Sequence, residues 1–551
     1  MKFKFYILIL LLLIYSCDRQ LVGPLRDNPF DSGNNITSGD PFKLQTQNLS
    51  GHILVSWEYT YEKPVIERFL LYRVNESGLD TLYTGLATTF EDSDVQWDST
   101  YSYYVTGTIN EKETSHPEIG DLPEVVRRIY VGAGSDYTTI GDAMNALKDG
   151  DVIYVKDGTY TETIDFKGKD ITLRSENGSD NCILDGENTR RIINFESGED
   201  ENTLLYGFTI KNGGGGHNKG GGIFIDASSP TIRNCIIENN SAGKFGGGIY
   251  LDNSSAIIDS CIIINNISER GGGLSIKDEG PIITNCMIQD NNSEKDGGGI
   301  YYENTDEDNE LNLEGCIFGS NTSQHRGGGL YIEVGFPQLI LCIFEDNVAS
   351  EGGAVYIHDA SDGFEDQKFC DFNRCKFVHN SANNGGAIFL DQYARSYFQY
   401  CIIVKNESTS SLVGGSGIFV NDSYLTIDHC TFSHNKTDNL PGGSILIRSY
   451  SQIPIVTITN SIIWNDDASS NIEEKNDGSY EGQWNVDITY TQIIGYSTSP
   501  EQPTQLYNSS ENPQFVDPEN DFHLQEVSPC IDSDDTGNNK GGYGGIYENW
   551  E

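Results

Sequence analysis

The 551-residue chain is poor in methionine and in positive charge. It has 3 Met, and 35 Lys plus Arg stand against 82 Asp plus Glu, which gives a formal net charge of −47 at pH 7. Such a surface would be repelled by a nucleic acid duplex, so no nucleic-acid partner is expected. Glycine (60) and tyrosine (30) are abundant instead, and 37% of the residues are hydrophobic. This composition disfavours both intrinsic disorder and a helical bundle.

Long apolar runs are missing beyond the N-terminus. Residues 1–16 carry two lysines followed by an apolar run, which is typical of a signal peptide and too short for a spanning helix. The run ends in Ile14-Tyr15-Ser16-Cys17, which resembles the bacterial lipobox. The resemblance implies lipidation of Cys17 and attachment to a membrane of the bacterial cell envelope, at the outer membrane or the cell surface. Residues 17–40 lack periodicity and are interpreted as a lipid-anchored tether.

Residues 41–125 alternate apolar and polar positions in short runs separated by turn residues, which predicts a β-sandwich. Trp57, Tyr72 and the run Thr100 to Val105 resemble a fibronectin type III domain. In that family the corresponding aromatic residues belong to the core and to a corner. The resemblance therefore implies a spacer domain without a ligand site of its own.

Internal repeats dominate the rest of the chain. Runs of two or three glycines alternate with cysteines that recur about every 28 residues, the length of one solenoid coil. The cysteines of this column are Cys235, Cys261, Cys286, Cys316, Cys342, Cys375, Cys401 and Cys430. The residues three before and two after each cysteine are apolar, so we expect them to face inward. With short strands and no helix inside a coil, the spacing predicts a parallel β-helix with coils about 4.8 Å apart.

An asparagine stands five residues after each of these cysteines. Because Asn tolerates the left-handed conformation and its amide can bond to the copy in the next coil, we predict a structural ladder at a sharp bend. Its members are Asn240, Asn266, Asn291, Asn321, Asn347, Asn380, Asn406 and Asn435. We assign this column to stability and not to chemistry.

The repeated motifs, for example Gly352-Gly353-Ala354-Val355 with Phe377-Val378-His379-Asn380, resemble chlamydial polymorphic outer membrane proteins and the wider pectate-lyase-like β-helix group. The resemblance covers residues 128–548 and implies a right-handed helix. An N-terminal capping helix is expected to cover its first coil. Thr139 and Asp142 form its capping box, Ile140, Ala143, Met144 and Leu147 its apolar stripe, and Gly150 its end.

The cysteine column has two readings. Stacked thiols lie near disulfide range, but side chains that point the same way have poor torsional geometry for bridging. We therefore favour a ladder of buried free thiols over disulfides. A metal site is disfavoured because no CxxC or His-Cys pair has ligand spacing.

A column of aromatic residues follows the glycine runs and is the candidate ligand-binding site. Strand alternation predicts that these rings point outward, where they could stack on sugar rings or on one another. The second, structural reading is slightly favoured. The residues are Phe224, Tyr250, Tyr301, Tyr331, Tyr356, Phe389 and Phe419.

Two further surfaces carry open alternatives. The outward column Ile236, Ile262, Met287, Ile317 and Ile343 is either an apolar interface strip or covered by a loop. Two longer coils insert acidic residues that either bind calcium or form a solvated acidic surface, and the second reading is favoured. Calcium is the only cofactor considered. Its candidate ligands are Asp306, Asp308, Asp359 and Asp362.

Motifs of catalysis are sparse. Asn304-Thr305-Asp306 resembles one polygalacturonase segment, but the GHG and RIK segments are absent, so no residue is assigned a catalytic role. The interpretation is an envelope lipoprotein whose β-helix binds a partner, either polysaccharide or a cell-surface protein. The alternatives are a polysaccharide lyase or hydrolase of the pectate-lyase-like group and a structural spacer.

Overall fold

The computed structural model describes residues 128–304, 310–358, 368–410, 414–437, 443–450, 453–465, 471–476 and 485–493, together with separate strands between residues 42 and 524. Two compact units divide the chain, Met1–Arg128 and Ile129–Glu551. The signal peptide, Cys17 and the tether predicted for 17–40 lie outside the described residues. In the described part, no helix is long and apolar enough to cross a membrane.

The described strands of the first unit form two antiparallel sheets. One contains Phe42–Leu49, His52–Tyr59 and Thr89–Asp92, and the other contains Arg68–Asn75, Gly78–Gly85, Ser102–Ile109 and Lys112–Glu113. Arg73 of the second sheet pairs with Asp92 of the first at 2.9 Å, and both side chains are buried. This ion pair connects the two sheets, while the resemblance to fibronectin type III stays a prediction.

A helix, α1 (Ile140–Ala146), lies at the start of the second unit. Its N-cap is the predicted one, because Thr139 Oγ1 accepts from the Asp142 amide and donates to the Asp142 carboxylate at 2.7 Å. The predicted apolar stripe is buried at Ile140, Ala143, Met144 and Leu147. The helix ends before Gly150, contrary to the prediction, because Leu147 already has extended backbone.

The second unit is a right-handed parallel β-helix, as predicted, and three long parallel sheets run along it. Each coil passes from the first sheet to the second and then to the third. The first, here called the long sheet, has fifteen described strands: Arg128–Val131, Val152–Val155, Thr172–Ser175, Leu204–Tyr206, Thr231–Arg233, Ile257–Asp259, Ile282–Thr284, Asn312–Glu314, Gln338–Ile340, Cys370–Asn373, Arg395–Gln399, Tyr424–Asp428, Ile455–Thr459, Asn485–Thr489 and Thr504–Leu506.

The other two sheets have thirteen described strands each. The second sheet contains Gly158–Tyr160, Cys182–Asp185, Thr209–Lys211, Ile236–Glu238, Ile262–Ile264, Met287–Gln289, Ile317–Gly319, Ile343–Glu345, Lys376–Val378, Ile402–Val404, Thr431–Ser433, Ile462–Trp464 and Gln492–Ile493. The third sheet contains Ile164–Asp165, Ile193–Phe195, Ile223–Asp226, Ile249–Asp252, Leu274–Lys277, Ile300–Glu303, Leu330–Glu333, Val355–His358, Ile388–Asp391, Ile418–Asn421, Ile445–Ser449, Ile472–Asn476 and Tyr496–Ser497.

Shorter ladders complete the fold. The bend between the second and third sheets carries Ile267–Arg270, Asn292–Asp296 and Thr322–Ser323 in one ladder and Ser381–Ala382, Glu407–Ser408 and Lys436–Thr437 in another. Near the C-terminus, Phe515–Asp517 and Asp521–Leu524 form an antiparallel pair.

The core is a set of stacked columns that matches the predicted inward positions. Ile232 and its equivalents, and Ile237 and its equivalents, are almost fully buried, and aromatic members stack as in Phe372 and Phe398, whose ring centroids lie 4.4 Å apart. The eight cysteines of the column are buried and free, as predicted. Their thiols donate to backbone carbonyls, for example from Cys316 to Ile283 at 3.4 Å, so the buried sulfurs have partners.

The asparagine column forms the predicted ladder inside the bend. The Asn321 Nδ2 atom donates to the Ile288 carbonyl at 2.8 Å and to Asn347 Oδ1 at 3.0 Å, and its Oδ1 accepts from Asn291. The same pattern repeats through Asn435 and reaches Asn465. One detail of the prediction is wrong, because the left-handed conformation belongs to the residue before each ladder asparagine and not to the asparagine itself. That preceding residue makes the turn, and the side-chain amide of the asparagine bonds across it.

Candidate functional site

The predicted aromatic column is buried, and this corrects the expectation that its rings are exposed. Tyr250, Tyr301, Tyr331, Tyr356, Phe389 and Phe419 are 1–6% exposed, and only Phe224 is half-buried. The rings do point away from the main core and form a separate cluster on the outer face of the third sheet. They stack on one another, with centroids 5.2 Å apart for Tyr301 and Tyr331. Their faces are therefore not available to a sugar ring.

The segment that precedes each glycine run covers these rings. Lys219 lies 4.4 Å from the Tyr250 ring centroid, and Arg326 lies 5.2 Å from that of Tyr356. Ser275 interrupts the aromatic column, and Phe245 of the covering segment fills the gap between Tyr250 and Tyr301. Alternation along a strand correctly predicted the direction of the rings but carried no information about this cover.

Glycine makes the close approach of the cover possible. Gly246, for example, has φ +61°, and a Cβ atom there would overlap the Ile249 carbonyl oxygen. The repeated glycine runs are thus a packing requirement of the sealed column and not a ligand-binding loop.

The hydroxyl ends of the column are held by acidic residues. Tyr250 donates to Asp252 at 2.8 Å, and Tyr356 donates to Asp391 at 2.7 Å. Burial and the adjacent carboxylates raise the pKa of both tyrosines. Burial alone would raise the pKa of Asp391, but hydrogen bonds from His358, Asn421 and Tyr356 outweigh it and lower that pKa. The third-sheet face is therefore a closed polar and aromatic seam.

The other predicted sites are placed as follows. The candidate calcium ligands lie outside the described residues: Asp306, Asp308, Asp359 and Asp362. The motif Asn304-Thr305-Asp306 begins at the buried Asn304, and its other two residues also lie outside them. Within the described ranges, no group of three or more His, Cys, Asp or Glu side chains is arranged to hold a metal ion. The apolar strip is half-buried on the outer face of the second sheet at Ile236, Ile262, Met287, Ile317 and Ile343.

The outer face of the long sheet is open and carries tyrosines that the sequence analysis did not single out. Tyr154, Tyr206, Tyr397 and Tyr424 are half-exposed along it, and Tyr400 is half-exposed at its corner. In the first coils, the guanidinium of Arg174 lies 5.2 Å from the Tyr154 ring centroid and 5.0 Å from that of Tyr206. This arrangement is named the tyrosine clamp.

A second aromatic group lies farther along the same face. The guanidinium of Arg374 lies 5.7 Å from the Tyr400 ring centroid, and Arg395 lies 5.2 Å from that of Tyr424. The His429 ring lies 5.1 Å from Tyr400. Both groups combine a ring with a cation, which keeps the ring edges and hydroxyls at the surface.

Asp428 organises this second group. It lies 3.0 Å from His429 Nδ1 and accepts from Thr459 at 2.9 Å and from Asn460 at 3.0 Å. Burial alone would raise the pKa of Asp428, but the contacts from His429, Asn460 and Thr459 lower it to about 2. Asp428 is thus ionised at neutral pH, and it orients the His429 ring beside the open face.

From Asn234 to Tyr490, each described coil turns from the long sheet to the second sheet through one left-handed residue. The early coils use small residues that tolerate this conformation, whereas later coils use large side chains at a cost of about 1–2 kcal/mol each. This corner column is Asn234, Ser260, Asn285, Gly315, Leu341, Arg374, Tyr400, His429, Asn460 and Tyr490.

These tyrosines escaped the sequence analysis for a definite reason. The coils were aligned on the cysteine column, and the coils that contain Tyr154, Arg174 and Tyr206 precede its first member, Cys235. Tyr400 directly precedes Cys401, a position that was not read as a column. Comparing the residue before each cysteine would have revealed the change from small to large side chains.

Comparison with known proteins agrees with the architecture. The sequence profile of the family described as right-handed beta helix region matches residues 175–339. Among solved structures, the chain is similar to the pectate lyase Pel9A, with 12% identity, 76% of this chain and 97% of that chain covered, and a TM-score of 0.32. The chain is also similar to the catalytic domain of a GH87 alpha-1,3-glucanase, with 10% identity, 86% of this chain and 99% of that chain covered, and a TM-score of 0.33.

A pectin methylesterase from Aspergillus niger has 14% identity, covers 67% of this chain and 91% of that chain, and has a TM-score of 0.25. None of the curated protein sequences compared with the chain matches it. The second unit is thus a right-handed parallel β-helix protein with one sealed outer face and one open one.

Proposed function

We propose that the protein is an envelope-anchored lipoprotein whose β-helix binds polysaccharide along the outer face of the long sheet. The observation that carries the proposal is the set of half-exposed tyrosines on that face and its corner, among them Tyr154, Tyr206, Tyr397, Tyr400 and Tyr424. Tyrosine offers an apolar ring and a hydrogen-bonding hydroxyl, the two features that a sugar ring presents in return.

The shape of the face suits a linear polymer. Its strands repeat about every 4.8 Å, so fifteen of them form a track on the order of 70 Å long. Between the two aromatic groups, the outward positions carry polar side chains such as Thr284, Glu314 and Gln338 together with the exposed Ile282 and Ile340. Contacts repeated over several coils add up, which allows modest individual interactions to hold an extended chain.

Attachment to the envelope rests on Cys17 and the apolar run before it. Replacing Cys17 with Ser removes the acylation site and leaves the signal peptide otherwise intact. The variant should leave the membrane fraction and the detergent phase in phase partitioning. If the partitioning of the mature protein is unchanged, the lipoprotein assignment is wrong.

The binding function is tested by a polysaccharide screen of the purified protein, with and without calcium. The double variant Tyr397→Ala with Tyr400→Ala should bind a polysaccharide found in the screen at least about fivefold more weakly, because each ring contact contributes about 0.5–1.5 kcal/mol. Gln289→Ala on the outer face of the second sheet is the matched control and should bind normally.

Three outcomes would redirect the assignment. Absence of binding to every polysaccharide would favour the structural spacer. Equal weakening in the Gln289→Ala control would move the site away from the long sheet. New unsaturated or reducing ends in the bound polysaccharide would make the protein an enzyme, and loss of that activity on calcium removal would implicate the acidic coils that contain Asp306 and Asp359.

A further inference from the structure

Arg174 stands out among the arginines of this acidic chain. Arg190, Arg233, Arg270 and Arg326 each lie within 4 Å of a carboxylate. Arg174 has neither a carboxylate nor a hydrogen-bond acceptor as partner in the part of the chain that the structure describes, and its Nε atom, like that of Arg233, is buried without one. In a sequence with 82 acidic residues, a guanidinium on an outer face that pairs with none of the described ones is unexpected.

The two tyrosine rings hold this guanidinium in place. Tyr154 and Tyr206 flank it in neighbouring coils, with centroid distances of 5.2 and 5.0 Å, so the guanidinium lies between two rings. A guanidinium is planar, and its N–H edge can bind a carboxylate or sulfate in a bidentate manner. Because the rings fix the plane before a ligand arrives, less side-chain entropy is lost on binding.

The strand of Arg174 and the two strands that flank it contain no other charged residue, although Glu176 and Lys156 directly follow two of these strands. In the adjacent column of the same face, the neighbouring outward residues are Thr172 and Leu204, and the strands that flank Arg174 contribute Tyr154 and Tyr206. At physiological salt, charges farther away than about 8 Å are largely screened. The net charge of the whole chain therefore does not prevent an anionic group from reaching this position.

We propose that the tyrosine clamp is a binding site for an oxyanion, the carboxylate or sulfate group of an acidic polysaccharide. This inference rests on the proposed polysaccharide binding and specifies its ligand class. The clamp forms a direct ion pair with the oxyanion, while the remainder of the long-sheet face contacts the neutral parts of the polymer.

The test compares three polymers on the purified protein: polygalacturonate, which carries carboxylates, dextran sulfate, which carries sulfates, and neutral dextran. Arg174→Gln should weaken binding of a charged polymer about ten- to a hundredfold, as expected for loss of a charged hydrogen-bonded pair. The two charged polymers separate the carboxylate from the sulfate as the natural ligand group. Arg174→Lys should restore part of the affinity, since it keeps the charge but loses the bidentate edge.

Arg233→Gln is the matched control. Arg233 lies two coils away in the same column but pairs with Asp259 at 3.7 Å, so its loss should change affinity by less than about threefold. Circular dichroism and thermal unfolding of the Arg174→Gln variant should match those of the native protein, because the side chain is half-exposed.

The possible failures are distinguishable. If the native protein binds neutral dextran as tightly as the charged polymers, or if Arg174→Gln binds them normally, the clamp is refuted while polysaccharide binding stands. If no polymer binds but sodium galacturonate or sulfate still shifts the NMR signal of the Arg174 guanidinium, the clamp is supported and the proposed function fails.

Discussion

The outer faces of the third sheet and of the long sheet carry similar aromatic residues, which are buried on the third sheet and half-exposed on the long sheet. On the third sheet, Tyr301, Tyr331 and Tyr356 are 1–3% exposed under a covering segment. On the long sheet, Tyr206 and Tyr424 are half-exposed and contact arginines of the same face. A side chain that points out of a solenoid coil is thus not necessarily at the surface, because the bend that follows can fold back over it.

The difference follows from what lies between neighbouring sheets. From Asn234 to Cys430, the long sheet and the second sheet are joined by one left-handed residue and the cysteine, and this connection is too short to cover either face. The second and third sheets are joined by a longer bend that contains the asparagine ladder and the covering residues such as Lys219 and Arg270. Length of connection, and not composition, separates a sealed face from an open one.

The largest difference between the two faces is expected for removal of a ring. Tyr331→Ala empties a site between two stacked rings, with centroids at 5.2 and 5.4 Å, and should lower the free energy of unfolding by about 3–5 kcal/mol. Tyr206→Ala removes a half-exposed ring and should cost about 1 kcal/mol or less. Urea unfolding followed by circular dichroism measures both, and equal losses would erase the contrast between the faces.

A similar contrast is expected for asparagines. Asn321 is fully buried, and its side chain bonds to Ile288, Asn291 and Asn347. Asn321→Ala leaves several buried groups without partners and should destabilise by about 3 kcal/mol. Asn373 is half-exposed on the long sheet with one contact to Gln399 at 3.3 Å, so Asn373→Ala should cost under about 1 kcal/mol.

An Asn321→Ala variant as stable as the native protein would mean that neighbouring coils rearrange to satisfy the orphaned groups. In that case the ladder would be dispensable at single coils. The stability of the Asn347→Ala variant, one coil farther along, would then separate local rearrangement from a general tolerance.

The sequence was sufficient for the coil architecture and the inward columns. Cysteine, asparagine and glycine recur at fixed offsets, and Ile232, Cys235, Ile237 and Asn240 occupy the places that period and alternation predict. These positions are local: each is determined by a strand of three or four residues and the turn next to it. Asn465 was missed because its coil has Ser461 in place of the cysteine, and because no left-handed residue directly precedes it, so that it stands four and not five residues after that position.

The sites were less predictable because they depend on contacts between coils. Nothing in the spacing of Arg270 shows that it lies over Tyr301, since the two residues belong to different coils. The tyrosine clamp likewise joins Tyr154, Arg174 and Tyr206 from three successive strands of one sheet. Such groups appear only when the exact register between coils is known. In the first coils the spacing hides this register, because residues 176–181 separate the strand of Arg174 from Cys182 and Phe208 replaces the cysteine of the next coil.

The open face is expected to respond to acid through Asp428. Its pKa is about 2 in the folded protein and 3.8 without these contacts, so the ionised form stabilises the fold above about pH 4. This contribution, about 2 kcal/mol, should be lost as the pH falls through 2. Asp428→Asn should therefore be less stable than the native protein at pH 7, and the gap should close by pH 2.

Urea unfolding at pH 7, 4 and 2 measures this gap. A gap that stays constant over the whole range would show that the amide is destabilising for steric reasons and that the carboxylate charge is not involved.

The smallest expected effect concerns a single ring at the far end of the open face. Tyr424 is half-exposed, and Arg395 lies 5.2 Å from its centroid. Tyr424→Ala should weaken polysaccharide binding about two- to tenfold, because one ring contact contributes about 0.5–1.5 kcal/mol, and should leave the melting temperature nearly unchanged. Tyr424→Phe keeps the ring and should lose less. Isothermal titration with a bound polysaccharide separates the two variants. If Tyr424→Ala instead unfolds as readily as Tyr331→Ala, its ring is part of the core, and the long sheet is sealed in the same way as the third.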